Sequence, residues 1–303
     1  MITRTKAGFA LAVGGLALAL GGLVLALGLS ACSYIDLNFF GRDDAVGERV
    51  AETLGQPVDL GIAKGAPYSF LVAADLHIGA ANAPSQAVLD AFASFVAARD
   101  DSFVLFLGDQ ANMGLADEYA AFASFADGLK NQSGKSLPWF AAVGNHDLYN
   151  DGWANFLTAV YATGHGSSYS ILDAGDFQVY LLDTGNATLG RAQYEELVAD
   201  MGADQRPKIV ISHYAIYGSA DLSYYRLANA RERALLLDLF ASSQVKLVLA
   251  GHWHFPVYHN YEGYFEEWLC DSLTYADAEG RHCLSVQVAE GKATVERLVV
   301  ASP

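Results

Sequence analysis

From Tyr68 onward the chain alternates short apolar runs with amphipathic stretches. Ser69 to Ala74 and Phe103 to Leu107 read as strands; Ser85 to Ala98 and Asp117 to Leu129 read as helices. At helical spacing Val88, Phe92, Phe95 and Val96 share one face of the first helix, and Tyr119, Phe122 and Ala126 share one face of the second. The pattern continues with a strand near Trp139 to Val143, a helix near Trp153 to Ala162, and strands at Ser168 to Leu172 and Phe177 to Leu182. A helix at Arg191 to Met201, a strand at Lys208 to Ser212, a helix at Arg231 to Phe240 and a strand at Lys246 to Ala250 follow. Apolar alternation at Val257 to Tyr261, Phe265 to Leu269, Cys283 to Val288 and Ala293 to Val299 predicts a closing β meander. Strands alternating with helices and then a β-rich end predict an α/β fold with sheets packed on each other and helices outside.

The start of the chain follows different rules. Arg4 and Lys6 precede an uncharged run rich in Leu, Ala, Gly and Val, which ends in small residues before Cys32. That is the layout of a secretory signal, although Ala7 to Leu29 is also long enough for a transmembrane helix at roughly 20 residues per span. Leu29-Ser30-Ala31-Cys32 resembles the lipobox of bacterial lipoproteins, in which the cysteine is acylated and becomes the first mature residue. The resemblance implies a signal peptide at 1–31, lipid on Cys32, and an exported protein anchored in the cell-envelope membrane, on its periplasmic or surface side. Residues 32–67 read as a tether, with a short helix-like stretch around Ala45 to Leu54, and 68–303 as one domain.

Composition narrows the partners. Hydrophobic residues make up 52% of the chain against 17% charged, enough for a large core. Acidic residues outnumber basic ones 34 to 18, a net −16; without Arg4 and Lys6 the balance after Cys32 is −18. That sign repels nucleic-acid backbones, so extended DNA or RNA is disfavoured, whereas a small substrate captured through bound cations is compatible. Cys270 and Cys283 form either a disulfide of an exported protein or two buried thiols on neighbouring strands.

Five segments place metal-ligand residue types just after predicted strands: Asp75-Leu76-His77, Gly108-Asp109, Gly144-Asn145-His146-Asp147, His213, and Gly251-His252-Trp253-His254. Ligands after successive strands can converge at one sheet edge. Imidazole and carboxylate without thiolate suit Zn, Mn and Fe, and the glycines allow tight turns beside the metals.

In this order the segments resemble the calcineurin-like metallophosphoesterase superfamily, with its D-x-H, G-D, G-N-H-[DE], H and G-H-x-H pattern filled from Asp75 to His254. The resemblance implies a layered β-sandwich flanked by helices with the site at strand C-terminal ends. It also implies two divalent or transition metal ions (Mn, Fe or Zn). One is held by Asp75, His77 and His254; the other by Asn145, His213 and His252; Asp109 bridges them. His146 is then the group that meets the leaving oxygen, and Asp147 is either its orienting partner or a turn or capping residue. The implied reaction is hydrolysis of phosphate mono- or diesters of small molecules by a metal-activated hydroxide. A metal-binding surface lipoprotein without turnover, and a metal-dependent nuclease, are the alternatives.

Departures from named branches bear on substrate. The protein Ser/Thr phosphatase motif G-D-x-x-D-R-G is replaced by Gly108-Asp109-Gln110-Ala111-Asn112-Met113-Gly114, without the arginine. Purple acid phosphatases carry Tyr where this chain has Asn112 and lack the histidine found here at His77. The aromatic segment from Tyr214 to Gly218 and Tyr224 to Arg226 is either a rim of the site, with stacking rings and a phosphate-facing Arg226, or an ordinary packed insertion. His165, His259 and His282 fall outside the pattern.

Overall fold

The computed structural model describes residues 37–217 and 225–302, with side chains from Asp44 onward. The proposed signal, Cys32 and the segment 218–224 lie outside the described residues. The chain divides into two compact units, one ending at Arg42 and one running Asp43–Pro303, and the second holds both sheets.

Its strands form two sheets. The smaller has the order β12-β11-β2-β3-β4, built from Tyr68–Ala73 (β2), Val104–Phe106 (β3), Trp139–Ala141 (β4), Arg281–Ala289 (β11) and Lys292–Ala301 (β12). The larger has the order β1-β5-β6-β7-β8-β10-β9, built from Val58–Asp59 (β1), Ser170–Ala174 (β5), Phe177–Leu181 (β6), Lys208–Ser212 (β7), Val245–Ala250 (β8), Val257–Tyr261 (β9) and Phe265–Leu269 (β10). Period-two alternation decides which side chains meet. On β2, Phe70 and Val72 enter the core between the sheets, against Val179, Leu181, Ile209, Ile211, Leu247 and Leu249 of the larger one. Leu71 and Ala73 face the other way, toward Phe92 and Val96 of helix α2 (Gln86–Ala97) and Tyr119 and Phe122 of helix α3 (Ala116–Asp127). The outer face of the larger sheet is covered by α1 (Leu37–Thr53), α5 (Arg191–Ala203) and α6 (Ala230–Ser242) through Val46, Val50, Leu197, Met201, Leu236 and Phe240. The layers are helix, sheet, sheet, helix, as expected.

Three expectations change. The closing β meander is two hairpins on different sheets: β9 pairs antiparallel with β10 in the larger, β11 with β12 in the smaller. The helix near Trp153 is a short α-helix α4 (Gly152–Phe156) continued by a π turn at Leu157–Tyr161. The tether from Asp44 to Pro67 belongs to the domain: Val46 and Val50 are buried, Arg49 pairs with buried Asp183 at 2.7 Å, and β1 runs parallel to β5. Cys270 and Cys283 are free and buried, the first in the core between the sheets and the second on the opposite face of the smaller sheet. Facing opposite sides of a sheet, they cannot meet the geometry of a disulfide.

Candidate metal centre

Strands β2, β3 and β4 run parallel in one sheet and β7 and β8 run parallel in the other, so each set of C-terminal ends opens on one edge. Those ends release Asp75, Asp109, Asn145, His213 and His252 into adjacent loops. Ligand atoms of Asp75, His77 and His254 gather within coordinating reach of one another, as do those of Asp109, His213 and His252, and of His77, Asp109 and His146.

The centre of the arrangement is one oxygen. Asp109 Oδ2 lies 3.6 Å from His77 Nε2 and 3.4 Å from His213 Nε2, and so stands between the two expected halves of the site. The other oxygen, Oδ1, accepts the His146 backbone N–H at 2.8 Å. The carboxylate therefore presents one and the same oxygen to both donor clusters and commits the other to a backbone amide. On one side His77 Nε2 and His254 Nε2 approach to 3.1 Å, and His254 Nε2 stands 3.5 Å from Asp75 Oδ1. On the other, His213 Nε2 faces Asn145 Oδ1 at 3.1 Å, and the His252 ring packs 5.0 Å from the His213 ring.

These donors fit cations. His213 Nδ1 donates to the Leu107 carbonyl at 2.9 Å, which leaves Nε2 turned toward two oxygens, those of Asn145 and Asp109. A carboxylate and an amide oxygen converging on one nitrogen need a positive charge among them, a proton or a bound cation. Burial opposes charge on His213, but Asp109 outweighs it and lifts the imidazole to about 9. Burial likewise opposes the Asp109 charge, and the surrounding histidines, His213 first, hold its carboxyl well below the usual range. Burial lowers His77; His254 is raised, because its hydrogen bond to Asp75 overcomes the cost of burial.

The local backbone shows what this placement costs. Ten non-glycine residues among those described have positive φ, and five are in the expected ligand set: Asp75, His77, Asp109, His252 and His254. Such conformations cost on the order of 1–3 kcal/mol each and persist where the surroundings impose them. At Gly144 a Cβ would lie 2.2 Å from Asp109 Oδ1, so only glycine lets that loop approach the carboxylate.

Supporting contacts hold the ligands. The His252 N–H donates to both Asp75 carboxylate oxygens, at 3.1 and 2.9 Å, and Ser272 Oγ donates to the Asp75 carbonyl at 2.6 Å. Thr184 Oγ1 accepts from the His213 and Tyr214 N–H groups. His146 Nδ1 bonds the Asn112 carbonyl at 2.7 Å, and its ring lies 4.7 Å from that of Tyr149. Asp147 does not orient His146. Its carboxylate, fully buried, accepts the backbone N–H groups of Asp109 (2.7 Å), Ala111 (3.0 Å) and Gly144 (2.9 Å). Burial and then the nearby Asp109 charge raise Asp147 to about 7. Asp147 is a loop-organising residue, and the imidazole takes its orientation from Asn112.

Elsewhere the expectations divide. Tyr214 is buried against His252 and Tyr225 packs on Trp253, but Arg226 lies over the Tyr217 ring at 5.6 Å and not among the ligands. His165 stacks on Trp139 and His259 on Tyr217, apart from the ligand set. A fourth donor group, Asp271, Asp277 and His282, already has its cation: Arg297 binds both carboxylates. Thr184, Ser272 and the Asn112 carbonyl escaped sequence reading, since one hydroxyl or one carbonyl in a loop carries no pattern; only the position of Thr184 just after a strand at the same edge hints at a role.

Residues 68–256 match the family of calcineurin-like phosphoesterases. The chain belongs to that family, and it is accordingly a phosphoester hydrolase of a class that binds divalent metals. Among solved structures, a dimetal phosphatase from Danio rerio superposes with a TM-score of 0.59 at 12% identity, covering 78% of this chain and 99% of its own. GAP50, the anchor in the inner membrane complex of Plasmodium, gives 0.58 at 12% identity over 77% and 85%. A putative 5'-nucleotidase from Staphylococcus aureus gives 0.51 at 13% over 78% and 55%. At these identities the likeness is one of fold. No curated protein matches the sequence.

Proposed function

We propose that this chain hydrolyses phosphate mono- or diesters of small molecules with two metal ions (Mn, Fe or Zn), and that it does so as an exported protein held at the membrane by lipid on Cys32. The observation that carries the two-ion reading is the single oxygen of Asp109 standing between His77 and His213. Asp75, His77 and His254 would hold one cation, and Asn145, His213 and His252 the other. When bound, such a pair supplies Lewis-acid chemistry: activation of water and neutralisation of charge on the phosphoryl oxygens. The chain's own part begins at His146. With the Nδ1 proton committed to the Asn112 carbonyl, Nε2 is the nitrogen that can reach the leaving oxygen; as imidazolium it gives that oxygen its Nε2 proton and is left as the neutral ring. Asp147, through three backbone amides, keeps the Asp109 and Asn145 loops in register. The acidic balance of the chain favours small esters over polynucleotides.

The test is turnover of an aryl phosphate monoester and diester by Ser33–Pro303 loaded with Mn²⁺. Hydrolysis of one of them should stop on chelation, and His146→Ala should slow it by roughly 100- to 10,000-fold. Metal-replete protein inert toward both esters overturns the reading. Anchoring is checked separately, by radiolabelled palmitate incorporated into the expressed chain and lost in Cys32→Ala.

A further inference from the structure

Beside the ligands, the rim carries aromatic rings left open to solvent. Phe255 is 53% exposed and Tyr275 is 44% exposed, and their rings stack 5.9 Å apart at 27°. Phe255 follows His254 directly in the chain, and the Tyr275 ring lies 5.5 Å from the His254 ring. Asn82 Nδ2 donates to the Tyr275 hydroxyl at 3.4 Å, which ties the tyrosine to the loop that follows His77. Trp253 stands 6.1 Å from Phe255 and 4.0 Å from Tyr225, edge-on to both.

The order of rings along the site sets what such a platform can reach. His146 contacts His77 at 4.5 Å, His77 contacts His254 at 5.0 Å, and His254 contacts Tyr275. A ring bonded directly to the leaving oxygen beside His146 would meet Tyr149, 4.7 Å from it. To reach Tyr275 and Phe255 the ring has to be held off by a spacer that crosses His77 and His254. We propose that Phe255 and Tyr275 form a stacking subsite for a planar ring carried on such a spacer, the chemistry of a nucleoside monophosphate; the inference rests on the phosphoester reading above. A nucleobase is neutral and flat, so the acidic balance does not repel it, and its single phosphate goes to the cations. The same balance opposes an extended polynucleotide. Half-exposed aromatic faces favour base stacking, which is tolerant of base identity.

The inference is tested by binding, independently of turnover, with non-hydrolysable phosphonate analogues of a purine nucleoside 5'-monophosphate and of ribose 5-phosphate. Calorimetry on the Mn²⁺-loaded full chain should give a nucleoside analogue bound roughly 5- to 150-fold tighter than the base-less one. Phe255→Ala and Tyr275→Ala should each shrink that ratio and leave the base-less analogue's Kd unchanged, which also reports intact folding. Phe255→Tyr and Tyr275→Phe should keep the ratio. Equal binding of the two analogues by the wild type, or a ratio untouched by both alanine variants, overturns the subsite. Failure of the phosphoester reading would show elsewhere, as metal-loaded protein that turns over no ester while the binding ratio is still measured.

Discussion

Asp147 shows how a buried carboxyl group can serve a catalytic centre without touching its chemistry. Its two carboxyl oxygens take three backbone amides from two loops, and it has no exposure to solvent. In Asp147→Asn the oxygen that serves Asp109 and Gly144 can be kept, but the new amide nitrogen faces the Ala111 N–H, donor against donor. One buried hydrogen bond is thereby lost and one amide stranded, a cost of about 1–3 kcal/mol. Denaturant unfolding should show that loss, and metal titration should show affinity weakened by roughly 10- to 100-fold, as for residues that brace ligands from behind. Unchanged stability in this variant would mean that the loops do not depend on the carboxylate. The contrast with the ligands explains what was readable at this scale. Asp75, His77, Asp109, His213, His252 and His254, which the structure gathers into candidate clusters, stood out in the sequence because coordination would demand particular side chains at strand ends. Asp147 was visible as a residue but not as a role, because backbone amides leave no signature, and the bond of His146 to the Asn112 carbonyl is open to any residue type.

At the scale of elements, β7 is held at its start by an arginine that grips two carboxylates. Arg206 donates to Asp173 at 2.8 and 3.0 Å, to Asp204 at 2.7 Å, and to the Gly175 carbonyl at 2.8 Å, tying the β5–β6 turn to the run into β7. Hydrogen bonds from Arg206 are the main reason that both Asp173 and Asp204 are held below the usual carboxylate range. Folded values depressed below the unfolded ones mean stability that is present above about pH 4 and lost as pH falls through the folded values. The three side chains are 22–37% exposed, so solvent screening limits the cluster to about 1 kcal/mol. Arg206→Gln should therefore be less stable than wild type at pH 6 by about that amount, with the gap closing toward pH 3, in paired thermal melts. A gap that stayed constant with pH would assign the effect to the neutral contact with Gly175. The elements joined here were legible from periodicity alone, because each strand buries alternate residues and each helix one stripe. What periodicity could not reveal is partnership. The strands from Val257 to Ala301 read as one run, but which sheet takes each hairpin depends on edges made far away in the chain: β10 on β8, and β11 on β2.

Across the whole domain, the segment ahead of Tyr68 is where sequence and structure diverge most, and the reason is a single ion pair. A stretch mixing Gly, Asp and isolated apolar residues reads as a tether, since its few buried positions, Val46 and Val50, form no long stripe. Arg49 makes the difference. It donates to Asp183 at 2.7 and 2.9 Å and to Asn186 at 2.7 Å, while Ser168 Oγ donates to the same aspartate at 2.7 Å. Asp183 precedes Thr184, which accepts the His213 N–H, so α1 is linked through one short loop to a member of the candidate metal centre. Removing the arginine alone leaves a carboxylate with no exposure and no counter-charge, a loss of roughly 3–5 kcal/mol. Arg49→Ala should lower Tm by about 6–20 °C for a domain of this size and weaken metal binding along with it. Adding Asp183→Asn to that variant should recover part of the stability, because the stranded charge is gone even though the cation is not restored. If the single variant melts like wild type, α1 is a tether after all; if it is destabilised and the double variant recovers nothing, the loss lies in the contact of Arg49 with Asn186 and the packing of its stem, not in the buried charge.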